Sequence, residues 1–201
     1  MKLFSQLLIV AGLILIAVFG YQYMEHEKAQ KQSLEQAEKT IEQYAKKAEQ
    51  PIGDSLFDPY DFEAEDGTAF ATLEIPKLGK TLPIVEGTDA EALKQGVGHL
   101  SNSVYPGQNE QIVLSGHRDT VFRQFDQIEI GDRYTVKTPY GTYTYEIRET
   151  EIVPENDTSV IRKMGEEALV VTTCYPFDFV GSAPDRFVTY AYPIKEEDTS
   201  Q

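Results

Sequence analysis

The first hydrophobic feature of the chain is a run without a charge. Residues 7–19 read LLIVAGLILIAVF, and from Leu3 to Met24 the only polar side chains are Ser5, Gln6, Gln22 and two tyrosines. About 20 apolar residues span a bilayer as a helix. Tyr21 and Tyr23 stand where an interfacial aromatic belt is expected. A cleaved secretory signal needs a small-x-small site, and AVFGYQYM offers none. A buried core helix would carry a polar stripe, which is absent. The reading is a signal anchor over residues 1–24. Lys2 precedes the span and Lys28 and Lys31 follow it, so the lysine count leaves its orientation open.

The pattern then changes twice. Residues 25–50 lack Gly and Pro and are rich in Glu, Gln, Lys and Ala, all good helix formers. Leu34, Ala37, Ile41, Tyr44 and Ala48 recur every three or four residues, barely two heptads. This stretch is either a helical spacer that lifts a domain off the membrane or a partly disordered tether. Pro51, Gly53, Asp58-Pro59 and Asp66-Gly67 end the pattern, giving a stalk and linker over 25–67.

From residue 68 short strand-like runs take over. They are AFATLEI (69–75), TLPIV (81–85), QIVLSGH (111–117), RYTVKT (133–138), GTYTYEIRETEIV (141–153), ALVVTTC (168–174) and RFVTYAYPI (186–194). Val, Ile, Thr and Tyr dominate them, and Gly and Pro punctuate them. Pro139-Tyr140-Gly141 reads as a tight hairpin turn. Short helices are expected at 89–96, 121–127 and 157–164, with Asp89 and Asp157 as caps. Many short strands over 68–194 make a mainly β domain, a closed barrel or a sandwich. An acidic tail, 195–201, follows.

Composition narrows the function. The net charge is −15, from 18 basic and 33 acidic side chains. Residues 25–50 hold five Lys against six Glu, so nearly all the excess belongs to residues 51–201. Nucleic acid is an improbable partner, because phosphate binding needs clustered Lys and Arg. The single Cys excludes an intrachain disulfide and a Cys-based zinc site. There is no phosphate loop, repeat or metal-ligand spacing.

Three residues carry candidate chemistry. His117 closes one apolar strand in LSGHRD, Cys174 closes another in LVVTTCYPF, and Arg186 opens the last in APDRF. Singly, each has an ordinary explanation: a buried small thiol, a strand-end histidine, a surface ion pair with Asp185. Together they form a sufficient set for acyl transfer. A thiolate attacks, an imidazolium protonates a leaving amine, and a guanidinium stabilises an oxyanion. The same set also fits a cysteine hydrolase using water. A membrane-anchored binding module with a structural Cys is the alternative of another class.

LSGHRDTVF followed by VVTTCYPFDFVGSAPDRFV resembles the sortase family, and the Cys-Tyr-Pro-Phe and Ala-Pro-x-Arg-Phe wording is most similar to class D sortases. EIPKLGKTLPIVEG and GVGHL resemble the family's early strands and its first helix exit. The resemblance implies a closed β-barrel of about eight strands with short helices. It implies a transpeptidase in which Cys174 attacks an LPxTG- or LPxTA-like sorting signal near the carboxyl terminus of secreted surface proteins. A peptidoglycan-precursor amine then resolves the thioacyl-enzyme. His117 is implied as general acid and then base, and Arg186 as holder of the thiolate or oxyanion. Thr173 is a candidate neighbour of the oxyanion. Tyr175 and Phe177, in the loop 175–185, and Ile161, in the loop 154–167, are candidate walls of the peptide groove. His99, in GVGHL, is assigned to a loop. No organic cofactor is implied, and calcium is compatible with the acidic domain although no ligand loop calls for it. The resemblance also implies a domain outside the cytoplasm of a Gram-positive bacterium.

Overall fold

The computed structural model describes residues 2–48, 59–179 and 181–194. The first ten residues of the linker beyond the helix, 49–58, and the tail 195–201 lie outside them. The chain opens on one helix, α1 (Lys2–Ala48), which carries the apolar run at its start. This is the one helix among the described residues long and apolar enough to cross a membrane.

Eight strands follow. They are β1 (Ala69–Ile75), β2 (Lys80–Glu86), β3 (Val97–His99), β4 (Gln111–Gly116), β5 (Arg133–Thr138), β6 (Gly141–Pro154), β7 (Ala168–Tyr175) and β8 (Asp185–Pro193). They close into a barrel in the order β1-β2-β3-β4-β7-β8-β6-β5. Closure removes the exposed edges that an open sheet would present. Leu73, Ile84, Ile112, Leu114, Val136, Ile147, Leu169 and Val171 point inward, and Phe70, Phe122, Phe125, Tyr134 and Tyr145 fill the interior with them.

The alternating strands stand almost where their patterns put them. The differences are local. The 121–127 segment is a turn followed by a single 3-10 turn, Phe125–Gln127, rather than an α-helix. The 157–164 segment is a loop, in which the Asp157 carboxylate accepts from the Ser159 N–H at 2.8 Å. Asp157 therefore caps an Asx turn, not a helix. Asp89 does cap a helix, α2 (Ala90–Gln95), accepting from Glu91 and Ala92 at 2.8 and 2.9 Å. His99 ends a strand and is fully buried.

The second part of α1 lies along the barrel. Ala37 is enclosed by Ala69, Val85 and Ala92. Ser33 is buried and donates to the Gln95 side chain at 3.4 Å. Lys94 meets Glu25 at 3.8 Å. These are the i, i+4 positions of one helix face.

Candidate active site

The register of three adjacent strands assembles the site. β4 and β7 run in parallel with Gly116 opposite Thr173, so the next residues on, His117 and Cys174, stand at the same level. β7 and β8 are antiparallel, with Cys174 opposite Arg186. A cavity of about 250 Å³ is lined by His117, Arg118, Asp119, Glu155, Cys174, Gly181, Ser182, Ala183 and Arg186. The three residues singled out in the sequence thus share one concavity. Cys174 is a free, half-buried thiol.

Local packing explains the wording around His117. A Cβ on Gly116 would come within 2.5 Å of the Phe122 ring and 2.6 Å of Val121, so the residue before His117 has to be glycine. The His117 carbonyl accepts from the N–H groups of Thr120 and Phe122 at 3.3 and 3.1 Å, which turns the chain back into the barrel. The segment GHRDTVF is therefore a turn whose two apolar residues pin its own start. Burial pushes the His117 pKa below its ordinary value. Asp119 opposes that shift, and His26 of α1 adds to it. The neutral imidazole is favoured.

Arg186 is fixed by three acceptors. One terminal nitrogen donates to the carbonyls of Ala183 and Asp185 at 3.2 and 2.9 Å, and the other to the Glu155 carboxylate at 3.3 Å. Its ion-pair partner is Glu155, just past the end of β6, and not the neighbouring Asp185 side chain.

The other candidates fall elsewhere. Thr173 is buried and its hydroxyl donates to the Gly116 carbonyl at 2.7 Å, which ties β7 to β4 just beneath the Cys174 and His117 pair. Tyr175 and Phe177 meet edge to face at 5.3 Å, and Phe177 meets Phe187 at the same separation. They brace the loop after β7 from below and do not line the cavity. Ile161 is exposed on the loop before β7, also off the cavity.

Arg118 went unremarked in the sequence. Only 7 % exposed, it donates to the carbonyls of Pro176, Phe179 and Gly181 at 2.7, 2.5 and 2.9 Å. One guanidinium thus gathers the loop joining Cys174 to Arg186. Its position directly after His117 was the only available signal, since a buried arginine in a turn follows no periodicity.

His99 is remote from this chemistry. Its Nδ1 meets the Glu86 carboxylate at 2.8 Å, and its Nε2 lies 3.1 Å from both the Val104 carbonyl and the Ser103 hydroxyl. Tyr105 stacks on its ring at 4.6 Å and donates to Glu86 at 3.1 Å. This is a closed polar network inside the barrel wall.

Comparison with known proteins agrees with the geometry. The sortase-domain family model matches residues 73–194. The chain is 44 % identical over 195 residues to sortase D of Bacillus subtilis, covering 94 % of this chain and 96 % of that one. A solved structure of a Clostridium perfringens sortase D5 transpeptidase superposes with a TM-score of 0.67 at 26 % identity, covering 84 % of this chain and 99 % of that one. The catalytic domain of the B. anthracis sortase D gives 0.57 at 38 % identity, covering 72 % and 96 %. The chain belongs to the sortase family, with class D relatives, and is a cysteine transpeptidase.

Proposed function

We propose that this enzyme joins secreted proteins to the cell wall from the outer face of the membrane, with Cys174 as nucleophile, His117 as acid and base, and Arg186 as oxyanion donor. The observation that supports these roles is the convergence of the three on one cavity, from the ends of β4, β7 and β8. The Cys174 sulfur attacks the threonine carbonyl of an LPxTG- or LPxTA-like sorting signal. His117 takes the Cys174 thiol proton, a C–S bond forms as the peptide C–N bond breaks, and His117 passes that proton to the leaving amine. A peptidoglycan-precursor amine then attacks the thioester, gives its proton to His117, and releases the thiolate. Arg186, already pinned by two carbonyls and Glu155, needs little reorganisation to face the developing oxyanion. Thr173 acts in this scheme through the Gly116 carbonyl, by holding the two strand ends level.

The test is incubation with sorting peptides in the presence and absence of amines such as triglycine or a diaminopimelate-containing peptide. The expected products are a thioacyl adduct on Cys174 by mass spectrometry and an amine-linked peptide. Hydrolysis alone with every amine would assign water as the acceptor. An active Cys174→Ala protein would remove the nucleophile from the scheme altogether.

A further inference from the structure

The strand registers show which residues share an end of the barrel. β2 and β3 are parallel, β4 is antiparallel to β3, and β7 is parallel to β4. Followed around the barrel, these pairings put Lys80, Gly96, His117 and Cys174 at one end. The start of β1 and the hairpin between β5 and β6 lie at the other.

Helix α1 runs between those two ends, and its contacts give its direction. Ala37 packs on Ala69 and Val85, toward the far end. Ser33, one turn earlier, bonds to Gln95, the neighbour of Gly96 at the catalytic end. Earlier again, Glu25 pairs with Lys94. His26 lies in the same stretch, with its Nδ1 buried and without a hydrogen-bond partner. The step from Ala37 to Ser33 thus moves toward the catalytic end, and His26 lies close enough to His117 to influence its charge. The run ends at Met24, nine residues before Ser33, or about 14 Å of helix. Two loops at this end also expose large apolar side chains, Ile130 at 64 % and Phe179 at 45 %.

We infer that the catalytic rim rests against the lipid headgroup layer, with Ile130 and Phe179 entering it, so that the site works on reacting groups held at headgroup depth. This rests on the membrane-spanning reading of α1. The occupant is a lipid surface held by apolar contact and by the span. Two cations at this end are already paired, Lys77 with Glu129 and Asp132 and Arg186 with Glu155, while the Lys80 ammonium is turned onto the Val121 and Arg123 carbonyls. The acidic domain gives no attraction to anionic lipid.

The experiment uses the full chain in phosphatidylcholine vesicles, in a Cys174→Ala background, with an environment-sensitive fluorophore on Ile130→Cys or Thr142→Cys. Thr142 lies by the hairpin at the far end and is exposed. Headgroup-level doxyl lipid is expected to quench the label at 130 and to leave that at 142 unchanged. Equal quenching at both positions, at 142 alone, or at neither overturns the inference. This readout needs no turnover, so it fails or succeeds independently of the proposed reaction. A second variant, Ile130→Asp, is expected to cleave a soluble sorting peptide at the unmodified rate. It should process a membrane-embedded substrate severalfold more slowly, and equal rates on both substrates would also overturn the inference.

Discussion

At the scale of single residues the site depends on donors that are already in place. Arg186→Lys keeps the charge but loses the planar fork that reaches Ala183, Asp185 and Glu155 together. A drop of about 10²–10³ in kcat, with the thioacyl adduct slower to appear in stopped reactions, is the expected outcome if it supplies an oxyanion donor. His117 makes a second prediction, about stability. Its pKa is lowered in the folded protein, so between that value and the unfolded value of about 6.5 the unfolded chain binds more protons. Its contribution is complete above that range and is lost as pH falls. His117→Gln should therefore show a smaller fall in Tm between pH 7.5 and 5 than the parent protein. Cys174, His117 and Arg186 were legible as strand-end residues because each borders an unmistakable apolar run. Arg118 was not, because its partners are carbonyls of a loop nearly sixty residues away.

At the scale of elements, legibility followed the number of alternating positions. β1 and β5 begin and end where their sequence patterns do. β3 carries no strand pattern of its own, because three residues, one of them glycine, display no alternation. It needs that glycine, since a Cβ on Gly98 would come within 2.5 Å of the Gly87 carbonyl. The expected helix at 157–164 failed because Asp157 satisfies a neighbouring N–H within a turn, a choice that propensity alone does not decide. The loop after β7 is the element on which function bears most directly. Replacing Arg118 by Gln should free its three carbonyls, lower stability by at least ~2 kcal/mol, and slow acylation, as read by denaturant unfolding and by adduct formation. Phe177→Ala and Ile161→Ala probe the two flanking loops. Both lie off the cavity, so changed selectivity among sorting peptides would extend the groove over these loops, and unchanged selectivity in both would confine it to the cavity.

At the scale of the whole molecule, α1 carries the apolar run and packs on the barrel in one continuous helix. The spacing of Leu34, Ala37 and Ile41 announced an apolar face, but nothing in it named β1, β2 and α2 as the surface to be covered. Ala37 is fully buried against three small or branched side chains, so Ala37→Leu should overpack the contact and cost about 1–3 kcal/mol, measurable by thermal unfolding and by protease access to the helix. The continuity of α1 has a kinetic consequence as well. In the orientation we infer, a barrel fixed to its span with its working end turned to the lipid would meet membrane-tethered substrates by lateral diffusion. Its turnover then follows the number of substrate molecules per unit of membrane area, and diluting the vesicles at constant surface density should leave the rate per enzyme unchanged.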